Sequence, residues 1–106
     1  MADNVLLVLS TFPNLATARR IARKLVDDEC AACANILPGV ESIYWWQGHV
    51  ENGDETLVLF KTREGAYERF QRTLRQLHPY KVPEIIAVPL DRGLPDYLQW
   101  VAANCA

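Results

Sequence analysis

The sequence predicts an α+β fold in which helices cover one face of a single antiparallel sheet. Three observations predict it. Two segments space their apolar residues as amphipathic helices, one long stretch reads as a β-hairpin, and short apolar runs of strand length alternate with the helices.

The first strand is the continuous apolar run of residues 5–11, from Val5 through Leu9 to Thr11, which Phe12-Pro13 breaks. Asn14 suits the N-cap of a first helix, in which Ala18, Ile21, Ala22, Leu25 and Val26 form one stripe. Arg19, Arg20, Arg23, Lys24 and Asp27 take the opposite side. Residues 30–37 read as a second strand of small apolar side chains. Pro38-Gly39 interrupts it with an expected bulge or bend, because proline cannot donate to a ladder.

The strand then continues into a hairpin over residues 40–62. Asn52-Gly53 supplies the expected turn, since this pair tolerates positive φ. Alternation sends Ile43, Trp45 and Gln47 to one face and Tyr44, Trp46 and Gly48 to the other, so both faces carry large apolar groups. One helix layer covers one sheet face only. The hairpin is therefore expected to be both the centre of the sheet and an oligomer interface.

Thr62 is the expected N-cap of a second helix, with Tyr67, Phe70, Leu74 and Leu77 on its apolar side. Residues 78–84 contain Pro79 and Pro83 and form a stiff connection to a short strand over residues 85–90. Pro95 opens a final helix carrying Tyr97, Leu98, Trp100 and Val101. The order is βαββαβ with an extra C-terminal helix and a long hairpin between the second and third strands, a ferredoxin-like sandwich.

At 106 residues, 50% hydrophobic and 23% charged, the chain fits a single domain over residues 1–106. A formal charge of −2 gives no footprint for nucleic acid, and no run approaches the ~18 apolar residues of a membrane span. The first four residues lack the basic start and cleavage site of a signal peptide, and the three cysteines do not resemble a disulfide framework. A cytoplasmic location is expected.

Cys30 and Cys33 have CxxC spacing, but a redox pair of this kind opens a helix, and this one enters a strand. Small buried cysteines are the expected role. His49 reads as a solvated hairpin residue. His78 either completes a helix C-terminus or serves as a metal ligand or proton carrier. One histidine makes no zinc site, so a strong metal site must borrow ligands from other subunits. Lys61 and Glu84 are either solvated at strand ends or meet as an ion pair in an intersubunit cleft that Trp46 and Tyr80 also line. Phosphate loops, nucleophile elbows and helical His-Glu-x-x-His motifs are absent, and no nucleophile–base pair is visible, so an enzyme is not expected.

Residues 31–36 (Ala-Ala-Cys-Ala-Asn-Ile), 42–48 (Ser-Ile-Tyr-Trp-Trp-Gln-Gly), Lys61-Thr62, 78–85 (His-Pro-Tyr-Lys-Val-Pro-Glu-Ile) and 97–100 (Tyr-Leu-Gln-Trp) resemble the CutA family of divalent-cation-tolerance proteins, in family order and over nearly the whole chain. The resemblance implies a stable trimer of ferredoxin-like subunits whose hairpins reach across to neighbours. It also implies a link to copper and other divalent cations, and a likeness in shape to PII signalling proteins. Some members carry a cysteine at the end of the first strand and a second histidine before His-Pro-Tyr, both implicated in metal binding. Ser10 and Leu77 stand there in this chain, which leaves His78, with Cys33, as the candidate metal ligands. Cys30 stands where many members have leucine. The expected function is that of a non-enzymatic, trimeric cytoplasmic protein of the divalent-metal response, with weak copper contact between subunits. A PII-like sensor of a small anion and a structural trimeric scaffold are the alternatives.

Overall fold

The computed structural model describes residues 4–106; the signal-peptide reading of residues 1–3 lies outside them. The elements run β1 (Val5–Phe12), α1 (Leu15–Asp27), β2 (Cys33–Trp46), β3 (His49–Arg63), a single 3₁₀ turn (Glu64–Ala66), α2 (Tyr67–Leu77), β4 (Ile86–Pro89) and α3 (Pro95–Ala103). The strands form one antiparallel sheet in the order β2-β3-β1-β4, which is the expected ferredoxin-like topology. No helix of the described residues is long and apolar enough to cross a membrane.

Period-two alternation along β1 and β3 separates two faces. Leu6, Val8, Phe12, Val58 and Phe60 are buried against Ile21 and Leu25 of α1 and Phe70 and Leu74 of α2. Phe60 and Phe70 meet edge to face, with centroids 5.0 Å apart. Asn14 caps α1 as expected, its side-chain Oδ1 accepting from the Thr17 amide at 2.8 Å. A smaller cluster of Val5, Ala32, Ala66, Val101 and Cys105 docks α3 at the lower end of the sheet.

Four sequence expectations need correction. The hairpin is not wholly the centre of the sheet: β3 and β1 are the central strands, and β2, its first arm, lies at an edge. The hairpin turn is Gln47-Gly48, with φ of 48° and 83°, and not Asn52-Gly53. Asn52 and Gly53 lie inside β3, opposite Ile43 and Ser42. Thr62 does not cap α2. It is buried in β3, and its hydroxyl donates to the Cys30 carbonyl at 2.7 Å. The second strand starts at Cys33 rather than Cys30, which is buried in the preceding loop. The expected bulge is present: Leu37 pairs with Leu57 but Val40 pairs with Glu55, so Pro38-Gly39 faces Thr56 alone, with Gly39 at φ 74°.

Beyond the bulge the hairpin leaves the helix layer as an arm. It stretches the molecule to 46 × 25 × 22 Å and its radius of gyration to 14.3 Å, against about 13 Å for a compact chain of this length. Ile43 and Trp45 on the arm are 69% and 75% exposed.

Candidate functional site

The sheet face away from the helices carries Leu7 and Leu9 of β1, Leu57 and Leu59 of β3, Leu37 of β2, and Ile86 and Val88 of β4. None of these side chains is fully buried, and Ile86 and Val88 are half exposed. Lys61 stands on the same face, with Leu7 and Cys33 as its strand neighbours, and its Nζ donates to Asn35 Oδ1. Cys33 is partly exposed there, its sulfur 3.6 Å from the Tyr97 hydroxyl of α3. That contact, followed by burial, raises the Tyr97 phenol above its ordinary pKa.

At the other end of β1 the chain leaving α2 folds back on the sheet. His78 ends α2, its backbone amide donating to the Leu74 carbonyl, so it does complete the helix C-terminus. Its ring is buried and stacked on Phe12, with centroids 4.6 Å apart and planes 17° from parallel. Nε2 lies 2.9 Å from the Thr11 carbonyl oxygen, and Nδ1 lies 3.1 Å from the Tyr80 backbone nitrogen. Burial pulls the imidazole pKa below 6.5; the bond to Thr11 and the nearby Glu55 carboxylate oppose this more weakly. The Tyr80 hydroxyl donates to Glu55 Oε2 at 2.6 Å. Burial first, and that bond second, push the phenol well above its ordinary value.

The structure does not gather the expected cleft residues within one subunit. His49, the strand partner of Trp46, is twelve residues from Lys61 along β3, on the order of 40 Å at ~3.3 Å per residue. Trp46 is exposed at the arm's tip, Tyr80 is held at its base, and Lys61 lies at the lower end of the sheet. Glu84 is exposed before β4 and makes no ion pair with a described residue. Within the subunit, Lys61 meets Asn35 and not Glu84.

His78 and Cys33 are apart as well. Cys33 sits level with Leu7 of β1 and His78 contacts Thr11 and Phe12. Four residues of strand, ~13 Å, lie between these levels. Both ring nitrogens of His78 are already engaged. Ser10 is fully buried on the helix side, and Leu77 packs against the core. Among the described residues, no three His, Cys, Asp or Glu side chains form a group able to hold a metal ion. The donors of a single subunit therefore do not fit a copper centre.

Sequence reasoning missed the partners: Asn35 for Lys61, Glu55 for Tyr80, Thr11 for His78 and Tyr97 for Cys33. For Asn35 alone a signal existed, because strand pairing places it diagonally across from Lys61 on the same face.

Known proteins share this architecture and sequence. The family model described as CutA1 divalent ion tolerance protein matches residues 6–104. The divalent-cation tolerance protein CutA of Thermus thermophilus is 46% identical over 97 residues, covering 92% of this chain and 94% of the relative. The solved structure from that organism superposes with a TM-score of 0.93 at 44% identity, covering 96% of this chain and 99% of the other. The Xylella fastidiosa CutA structure gives a TM-score of 0.94 at 42% identity over 99% and 100% of the two chains. An Archaeoglobus fulgidus structure described as a periplasmic divalent cation tolerance protein gives 0.90 at 34% identity over 94% and 97%. This chain spans only about half the length of some relatives, such as the mouse and human CutA proteins, at 51% each. By the family model, the sequence identities and the shared fold, the chain belongs to the CutA1 divalent ion tolerance family.

Proposed function

We propose that this chain works as a non-enzymatic, cytoplasmic homotrimer in divalent-cation tolerance, and that its cation contacts, weak copper contact included, are built between subunits. The observation that carries this reading is the uncovered sheet face, where apolar side chains of all four strands stand away from the helices. An apolar surface of that extent, continued onto an arm with Tyr44, Trp45, Trp46 and Val50 exposed, favours association. Three subunits packing sheet against sheet would cover it, and arms of this length can carry Trp46 to a neighbour. Such an assembly is also the way to bring Trp46, Lys61, Tyr80 and Glu84 around one cleft, since a single subunit keeps them apart.

Sedimentation of the purified protein tests the assembly. A species of three times the 12.0 kDa chain is expected, and Leu59→Glu, which places a charge on the shared face, should release monomers. A stable, soluble monomer of the unaltered chain would end the proposal. Copper titration of the assembled protein should show weak saturable binding that is absent from the Leu59→Glu monomer.

Lys61 favours a second reading, a sensor of a small anion. Its ammonium faces the apolar side of the sheet with Asn35, a neutral amide, as its hydrogen-bond partner. An anionic ligand in an intersubunit cleft would complete its pairing. Thermal stabilisation by carboxylates or nucleotides but not by metal ions, lost in Lys61→Met, would favour this reading over the first.

A further inference from the structure

We infer that His78 is a neutral, Nε2-protonated clamp that positions Tyr80 at the base of the arm, and that in this chain it is not a cation ligand. All the groups involved belong to one subunit. A backbone amide only donates, so the Tyr80 nitrogen 3.1 Å from Nδ1 requires an unprotonated Nδ1 lone pair. A backbone carbonyl only accepts, so the Thr11 oxygen 2.9 Å from Nε2 requires a proton on Nε2. Together these two main-chain groups select one tautomer of three protonation forms.

A metal ion binds imidazole through a free lone pair. At Nδ1 it must displace the Tyr80 amide. At Nε2 it must remove the proton and displace Thr11. His78 is 7% exposed and its ring is stacked on Phe12, which leaves no side from which either exchange is easy. Glu55 of β3 and the Tyr80 phenol are the titratable groups that face it. β1 contributes Thr11 and Phe12, both uncharged, and α2 reaches His78 through the Leu74 carbonyl, which accepts from its backbone amide.

The clamp has a directional consequence. Thr11 on β1 orients His78, His78 orients the amide of Tyr80, and Tyr80 passes its hydroxyl to Glu55 on β3. Tyr80 is thus held at both ends, and the connection between α2 and β4 is fastened where the arm leaves the sheet. His78 is a positioning residue for Tyr80.

Nitrogen-15 NMR of the full chain carrying labelled histidine at pH 7.5 tests the inference, with the exposed His49 as an internal reference. His78 should show a protonated Nε2 and a bare Nδ1, and one equivalent of zinc(II), a diamagnetic probe, should leave that pattern unmoved. Amide exchange supplies a second readout. Tyr80 should exchange at least about fivefold faster in His78→Leu than in the unaltered chain, and His78→Asn, whose Oδ1 can accept from the same amide, should restore protection. An Nδ1-protonated ring, a zinc-induced shift at either His78 nitrogen, or equal Tyr80 protection in the unaltered and leucine chains would overturn it. The NMR measurement uses the unaltered chain and does not depend on either variant folding.

Discussion

Ser10 and Thr62 are both fully or nearly fully buried hydroxyl residues on the helix-facing side of neighbouring strands, yet they should respond oppositely to loss of the oxygen. Thr62 donates to the Cys30 carbonyl at 2.7 Å, whereas Ser10 Oγ finds no hydrogen-bond partner among the described residues. An unpaired buried polar group costs about 1–3 kcal/mol. Ser10→Ala removes that cost, and the small void left behind takes back a few tenths at about 24 cal/mol per Å³. A net gain of about 1 kcal/mol is expected. Thr62→Val keeps the shape but strands the Cys30 carbonyl, for an expected loss of about 1–3 kcal/mol. Guanidinium unfolding at one fixed protein concentration reads both, provided the slopes agree so that midpoints report stability. The reasoning fails if Thr62→Val is as stable as the unaltered chain, or if Ser10→Ala is destabilised by more than about 1 kcal/mol.

The turn position makes a second contrast. Gly48→Ala forces a Cβ into φ 83° and should lose about 1–2 kcal/mol. Gly53→Ala, in extended backbone with only the Tyr44 hydroxyl 3.9 Å from its new Cβ, should be neutral within about 0.5 kcal/mol. Equal losses, measured as unfolding midpoints, would refute the Gln47-Gly48 turn. Burial of His78 lowers its pKa in the fold, so the unfolded chain takes up the proton first as pH falls. Its contribution is therefore full above pH 6.5 and is lost as pH drops through the folded value; His78→Asn should flatten that acid limb relative to the unaltered chain. Tyr80 is shifted upward, so the unfolded chain loses its proton first and stability falls as pH rises above 10. Tyr80→Phe should remove that part of the alkaline slope while losing about 1 kcal/mol at neutral pH through the Glu55 bond.

The helices were legible because local spacing decides them: the stripe from Ala18 to Leu25 and that from Phe70 to Leu74 are the buried ones. The hairpin's arms were legible too, but not its turn. Asn52-Gly53 is the stronger turn pair by composition, yet a turn there would leave residues 33–37 without β3 to pair with. Turning at Gln47-Gly48 lets Leu57, Leu59 and Lys61 pair with Leu37, Asn35 and Cys33, and a ladder spanning all of β2 outweighs a local preference. The same extension keeps Thr62 in the strand, where its hydroxyl serves Cys30 instead of a helix end. The site was legible as residue types and not as partnerships. His78 and Thr11 are 67 residues apart, Lys61 and Asn35 26, and Tyr80 and Glu55 25, and these partners are set by tertiary packing.

That distinction changes what the polar residues mean. A histidine beside Pro-Tyr suggests an open ligand until Thr11 and the Tyr80 amide are seen to occupy both nitrogens. A lysine in a strand suggests a solvated end until Leu7 and Cys33 are seen to flank it on an apolar face. Trp46 and Lys61 belong to the same hairpin, yet twelve residues of extended β3 hold them on the order of 40 Å apart. A rigid ladder of that length does not fold back on itself. Any cleft that uses both must therefore take its tryptophan from one chain and its lysine from another.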